Sequence, residues 1–250
     1  MTTERRDGVQ VISRAALLLR ELSLAPEGLT PIALADRVGL PRSTCYRIVG
    51  ALCQEGLMRP APSGKLHIGA GLISIAAAAR RELRHEAAPY LKKLSLELHE
   101  TVELVVLDGD EALFTDQYVP QRSLRVVAEV GDRFPLYCTA CGKALLAELP
   151  QDEAERLVSQ PLAALTSHTI VDRATLLAEI EAARTEGVAF DHQEHTLGVS
   201  AVGAALRDSG GSMAAITVAM PAARLEGQEQ RIATALLRAR DDIQRVVNAG

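Results

Sequence analysis

Between Leu34 and Leu57 the chain reads "LADRVGLPRSTCYRIVGALCQEGL", and no other stretch restricts its fold so sharply. Alanine and leucine recur at helical spacing on both sides of a Gly39-Leu40-Pro41 break, so two helices meet at a tight turn. Thr30 is placed to cap the first of them with Pro31 at its first position, and Gly39 can take the left-handed conformation that ends it near Val38. Pro41 then opens a helix to about Glu55. Upstream, "VQVISRAALLLRELSL" predicts a helix over 9–24. Downstream, "LMRPAPSGKLHIG" predicts two short strands around a Pro-Ser-Gly turn. Helix, helix, tight turn, helix and hairpin is the order of a winged helix-turn-helix.

In such a unit the helix after the turn lies in the major groove and offers its first residues to base edges. Arg42, Ser43, Thr44, Tyr46 and Arg47 stand at that point, with Ile48, Val49 and Leu52 directed the other way. Arginine can bond a guanine edge in bidentate fashion, while hydroxyls and helix-start amides hold phosphates. Lys65 and Arg59, on the hairpin, add candidate phosphate contacts. The chain carries a net charge of −5, which speaks against a nucleic-acid partner until the charge is divided. Residues 1–68 hold nine Lys/Arg against six Asp/Glu, a charge of +3, and the remainder holds eighteen against twenty-six, a charge of −8. The expected partner is double-stranded operator DNA.

Three regions are expected: a DNA-binding domain over 1–68, a linker helix over 69–82, and a larger domain over 83–250. In the last, "RHEAAPYLKKLSLELHE" predicts an amphipathic helix and "TVELVVLDGDEALFTDQYV" a hairpin with an Asp-Gly-Asp turn. "SLRVVAEVGDRFPLY" predicts a further strand, and helices follow from "CGKALLAEL" and over 151–159 and 172–186. "GVAFDHQEHTLGVSAVGAALRD" and "SMAAITVAM" read as a loop and two strands, before a last helix over about 225–247. Strands mixed with flanking helices, mostly hairpin-linked, make an α+β domain rather than a doubly wound one. No run of about 18 uncharged apolar residues is present, and no signal-peptide pattern precedes the first charges, so a cytoplasmic protein without membrane contact is expected.

The stretches "GVQVISRAALLLREL", "TPIALADRVGLPRSTCYRIVGALCQEGLM" and "GKLHIGAGL", then "GDRFPLYCTACGKALLA" and "GVAFDHQEHTLGVSAVGAAL", together resemble the isocitrate-lyase-regulator (IclR) family of bacterial transcription factors. The resemblance runs in order along nearly the whole chain. It implies a winged domain, a linker helix and, over 83–250, an effector-binding and oligomerisation domain with a twisted antiparallel sheet. It also implies homodimers, often paired on DNA, and therefore a near-palindromic site. A repressor is the expected role.

"FPLYCTACGKALL" offers the effector site. A helix starts near Gly142, so the amides of Thr139, Ala140, Cys141 and Gly142 can meet an anion, with Cys138 beside them and the Thr139 hydroxyl added. Phe134, Leu136, Tyr137 and Phe190 supply apolar walls, in a chain with only 3% aromatic residues. The resemblance adds Asp191, Glu194, Ser200 and Ala201 by position, and implies a small organic acid or aromatic metabolite as ligand. This sequence departs from the family at Gln193, Ala201 and Gly203–Ala205, and in having Cys138 and Cys141, so the identity of the ligand is not inherited.

Two other chemistries are open. "GVSAVG" around Ser200 lacks the G-x-S-x-G of a nucleophile elbow, and the histidines form no base-and-orienter pattern, so an enzyme is not expected, nor a cofactor. Cys138-x-x-Cys141 with His192-x-x-His195 has the composition of a structural zinc site, and a C-x-x-C at a helix start can serve as a redox switch through a lowered thiol pKa. Cys45 and Cys53 read as buried free thiols.

Overall fold

The structure, a computed structural model, describes residues 10–159, 161–207 and 213–248, without the side chains of 76–82. The chain divides into two compact units, one ending at Arg81 and one beginning at Glu82.

The first unit contains α1 (Gln10–Ser23), α2 (Pro31–Val38), α3 (Arg42–Gln54), β1 (Met58–Pro60), β2 (Leu66–Ile68) and the opening turns of α4 (Gly71–Leu98). Its boundaries follow local chemistry. Thr30 Oγ1 accepts the Ala33 amide at 3.2 Å, satisfying one of the first-turn donors. Gly39 has φ of 65°, and Leu40 N–H donates back to the Ala35 carbonyl at 3.1 Å, closing the helix. Leu18, Leu22, Leu34, Ile48, Val49, Leu52, Met58 and Leu66 meet in one core. Burying each large apolar side chain contributes about 1.5–3 kcal/mol. The hairpin is tied to the loop before α2, since Leu29 and Leu66 exchange both backbone hydrogen bonds.

α4 is one helix across the point where the sequence suggested two. Beyond the change of pattern near Leu83, the side chains of Leu83, Ala87, Leu91 and Leu94 are buried. The backbone does not break there.

The second unit is built on a six-stranded antiparallel sheet in the order β5-β4-β3-β8-β7-β6. The strands are β3 (Thr101–Asp108), β4 (Glu111–Tyr118), β5 (Arg133–Pro135), β6 (Ala189–His192), β7 (Val199–Arg207) and β8 (Met213–Pro221). Between β5 and β6 lie α5 (Ala140–Glu148), α6 (Gln151–Leu157) and α7 (Arg173–Glu186), and after β8 come α8 (Ala222–Leu225) and α9 (Glu229–Val247). Successive strand residues point to opposite faces. Val102, Leu104, Val202, Ala204, Ile216 and Val218 pack with Leu91 and Leu94 of α4 and with Ile232, Leu236 and Ile243 of α9. Val105, Ala205 and Ala215 pack on the other face with Leu145 and Leu146 of α5 and Leu176 and Ile180 of α7. α5 lies very close to the sheet: a Cβ at Gly203 would stand 2.6 Å from the Ala140 carbonyl.

Two strand expectations are corrected. "SLRVVAEVGDRFPLY" contributes only Arg133–Pro135 as strand. Two carbonyls of the connection before it are taken by side chains, Val126 by Thr101 Oγ1 and Ala128 by Gln117 Nε2, each at 2.6 Å, in place of a backbone ladder. "AFDH", read as loop, is the edge strand β6, with Asp191 opposite Ala201. Among the described residues no helix is long and apolar enough to cross a membrane.

Candidate functional site

The first unit presents one face of α3 to solvent. Arg42, Ser43, Tyr46 and Arg47 are exposed and Thr44 is half-buried, while Cys45, Ile48, Val49 and Leu52 are buried. No side chain caps α3, because its N-cap is Pro41, so the first-turn amides have no capping oxygen. A helix start of this kind, flanked by arginines, suits phosphate. Arg42 makes only a loose exposed pair with Asp36 at 3.9 Å. Lys65 is half-buried and donates to the Glu27 carbonyl at 3.1 Å, whereas Arg59 is exposed on β1.

The second unit contains a cavity of about 520 Å³ on the α5 face of the sheet. Its floor is the sheet from β3 to the edge strand, with Glu103 of β3, Thr217 and Ala219 of β8, Ala201 of β7 and Asp191 of β6. Thr139, Ala140 and Cys141 at the start of α5 close one side. Phe114, Phe134 and His195 form an aromatic wall: the Phe ring centroids are 4.6 Å apart, and the His195 ring lies edge-on to Phe134 at 4.8 Å. Leu124 to Ala128 and Thr196 to Val199 supply the rim. The small residues at Ala201, Gly203 and Ala219 make the space, since α5 can sit on the sheet without side chains filling the gap.

Acids dominate the polar groups of the cavity. Burial pushes the Glu103 carboxyl up to about 8. Asp191 is pushed up to about 7, first by burial and further by the nearby Glu194, against the opposing pull of its bond from the Glu194 amide and of Lys143. Beneath it, Lys143 bonds Glu179 and Glu194, each at 2.6 Å, and so neutralises charge outside the cavity lining. Arg125 lies at the exposed rim and donates to the Arg122 carbonyl.

The family model described as bacterial transcriptional regulator IclR C-terminal matches residues 75–245, and that for the IclR helix-turn-helix domain matches residues 11–62. The chain belongs to the IclR family. This IclR-family chain is 46% identical over 242 residues to the HTH-type transcriptional regulator Rv1719 of Mycobacterium tuberculosis, covering 95% of the chain and 93% of the relative. It is 31% identical over 223 residues to the HTH-type transcriptional repressor AllR of Escherichia coli, covering 87% and 82%. The crystal structure of an IclR homolog from Microbacterium hydrocarbonoxydans, complexed with 4-hydroxybenzoate, matches 96% of this chain and 100% of its own, with a TM-score of 0.64 at 22% identity. At that identity the likeness shows the fold. A helix-turn-helix domain followed by a C-terminal ligand-binding domain is thus the organisation of this IclR regulator.

Of the residues expected to line the effector site, Phe134, Thr139, Ala140, Cys141, Asp191 and Ala201 border the cavity. Others do not, for identifiable reasons. Phe190 and Ser200 alternate with Asp191 and Ala201 and so face the opposite side of the sheet, where Phe190 packs on the α9 core and stacks on His192. Leu136 is buried in the α5–α7 core, and Tyr137 turns outward to bond the Ala163 carbonyl. Cys138 is buried off the lining. A Cβ at Gly142 would meet Leu136 backbone at 2.3 Å, so this glycine permits a close approach instead of lining a wall. Glu194 is held by Lys143 below the floor. The Thr139 hydroxyl is occupied, accepting from the Gly142 amide and donating to the Pro135 carbonyl.

The metal and redox alternatives are corrected. Among the described residues no three His, Cys, Asp or Glu side chains gather as a metal site, so Cys138, Cys141, His192 and His195 do not meet. Burial raises both thiols, Cys138 to about 12 and Cys141 to about 11, the reverse of what a thiolate switch requires.

Glu103, Phe114, Thr217 and His195 were missed as lining residues. A signal for Glu103 exists: it is the one charged residue in "TVELVVL", a strand otherwise fit for burial.

Proposed function

We propose that this IclR regulator is a cytoplasmic homodimeric repressor, not an enzyme, that binds a near-palindromic operator through α3 and responds to a small aromatic ligand held in the α5 cavity. Arg42, Ser43, Tyr46 and Arg47 read the major groove, Thr44 and the uncapped first-turn amides take phosphate, and Arg59 joins from the hairpin. Lys65 is a lesser contact, because its ammonium is already bonded to the Glu27 carbonyl. The name of AllR supports the direction of control. The aromatic wall of Phe114, Phe134 and His195 supports the ligand's body, as does the 4-hydroxybenzoate bound to the Microbacterium relative. The carboxylate implied by the family resemblance is less well matched, since the floor is itself acidic.

The observation that carries the DNA half is the division of α3 into a buried apolar side and an exposed side holding two arginines at an uncapped helix start. A gel-shift titration with the DNA upstream of its own gene tests it. Arg42→Ala should weaken binding by about 5–150-fold, the range for one bidentate base contact. If the contact is to phosphate, it should lower the salt slope by about one instead. Equal affinity and equal salt slope in the variant would remove Arg42 from the interface.

A further inference from the structure

The cavity floor carries a pair of facing polar side chains, one of them without a hydrogen bond of normal geometry. Glu103 on β3 stands directly opposite Thr217 on β8, so the two side chains share the face beneath α5. Each residue is only 3% exposed. The Glu103 carboxyl borders the cavity. Thr217 Oγ1 is buried without a hydrogen bond of normal geometry, although the Cys141 thiol lies near it. A buried hydroxyl left unsatisfied is costly, a cost that a bound polar group would offset.

Charge decides which polar group fits. Asp191 and Asp132 also border the cavity. Among the described residues the one buried cation close by, Lys143, is committed to Glu179 and Glu194, and Arg125 sits at the open rim. A ligand carboxylate placed on the floor would be desolvated beside acids with no uncommitted buried cation among the described residues to pair with, which is strongly unfavourable. A hydroxyl or amine donates to Glu103, and a hydroxyl also accepts from Thr217.

We propose that Glu103 and Thr217 form a recognition subsite for a hydroxyl or amine on a small aromatic ligand, and that it discriminates against a carboxylate in the same place. The inference rests on the sensor reading of this cavity. With burial holding Glu103 protonated in neutral solution, the carboxyl offers both a donor and an acceptor to a neutral hydroxyl. An alkylamine, already an ammonium in neutral solution, instead displaces the carboxyl proton to solvent and leaves an ion pair.

Benzyl alcohol, benzylamine and benzoate have nearly the same size and separate these cases. Titration calorimetry on the full chain at neutral pH should give dissociation constants for the alcohol and the amine at least about tenfold below that of benzoate, one unsatisfied-group penalty in scale. Glu103→Leu should abolish the preference. Glu103→Gln, which keeps shape and both hydrogen-bonding roles, should retain the alcohol and lose the amine. Melting curves of both variants check that they fold. Benzoate binding as well as or better than the alcohol sinks the subsite but leaves the cavity as a sensor. Failure of all three to bind sinks both. A preference that persists in Glu103→Leu assigns it to other residues and overturns the proposal.

Discussion

Lys143 Nζ lies 2.6 Å from Glu194 Oε1, and both side chains are almost wholly removed from water. The pair joins the middle of α5 to the loop after β6, and that loop supplies His195 and Thr196 to the cavity. Thr166 and Thr169 hold the same loop by bonding the Glu194 carbonyl. The cavity rim is therefore anchored by a buried ion pair and two hydroxyls.

Replacing one partner of that pair strands the other. Lys143→Met should destabilise the second unit by about 3–5 kcal/mol, because Glu194, whose Oε2 already has no partner, would remain buried and uncompensated. The double variant Lys143→Met, Glu194→Leu should recover much of the loss. Chemical denaturation of the three proteins measures both effects, and equal stability of the two variants would show that the pair does not act as a unit.

The closeness of α5 to the sheet predicts a second cost. In Gly203→Ala the new Cβ would fall 2.6 Å from the backbone carbonyl of Ala140, which cannot swing aside as a side chain can. The strain should amount to about 1–3 kcal/mol. At about 2–4 °C per kcal/mol for a unit of this size, a thermal melt resolves it. An unchanged melting temperature would mean that α5 shifts freely on the strand.

Glu103 predicts a pH dependence of definite sign. Its folded value, about 8, is above its ordinary 4.5 because burial penalises the charged form. Between those limits the folded chain keeps a proton that the unfolded chain has lost. Stability should therefore fall as pH rises through this window, by up to roughly 1.4 kcal/mol per unit, and level off above it. Asp191, raised from 3.8 to about 7, contributes in the same direction. Subtracting the curve of Glu103→Gln isolates the Glu103 part, and superimposable curves would refute it.

Much of the first unit was legible because its signals are local. Thr30, Pro31 and Gly39 act on backbone within a few residues, and the alternation of Tyr46–Arg47 with Ile48–Val49 follows from the helical repeat alone. The effector side was legible only in part. Phe134 and Thr139–Cys141 could be found because they flank a helix start, but Phe190 and Ser200, also expected in the lining, face the other side of the sheet. A shift of one residue along a strand reverses its side, and nothing near Asp191 or Ala201 in the sequence says which side α5 will cover.

By itself, then, the sequence determined the helix-turn-helix, its exposed basic side, the antiparallel α+β character of the rest, and membership in a family of regulators. Tertiary structure alone decided what the cavity presents to a ligand. Glu103 meets Thr217 through the β3–β8 register, and α5 descends close to Gly203 because the strand beneath it is made of small residues. Both are long-range pairings. Their physical reason is packing between segments distant in the chain, which no local pattern encodes.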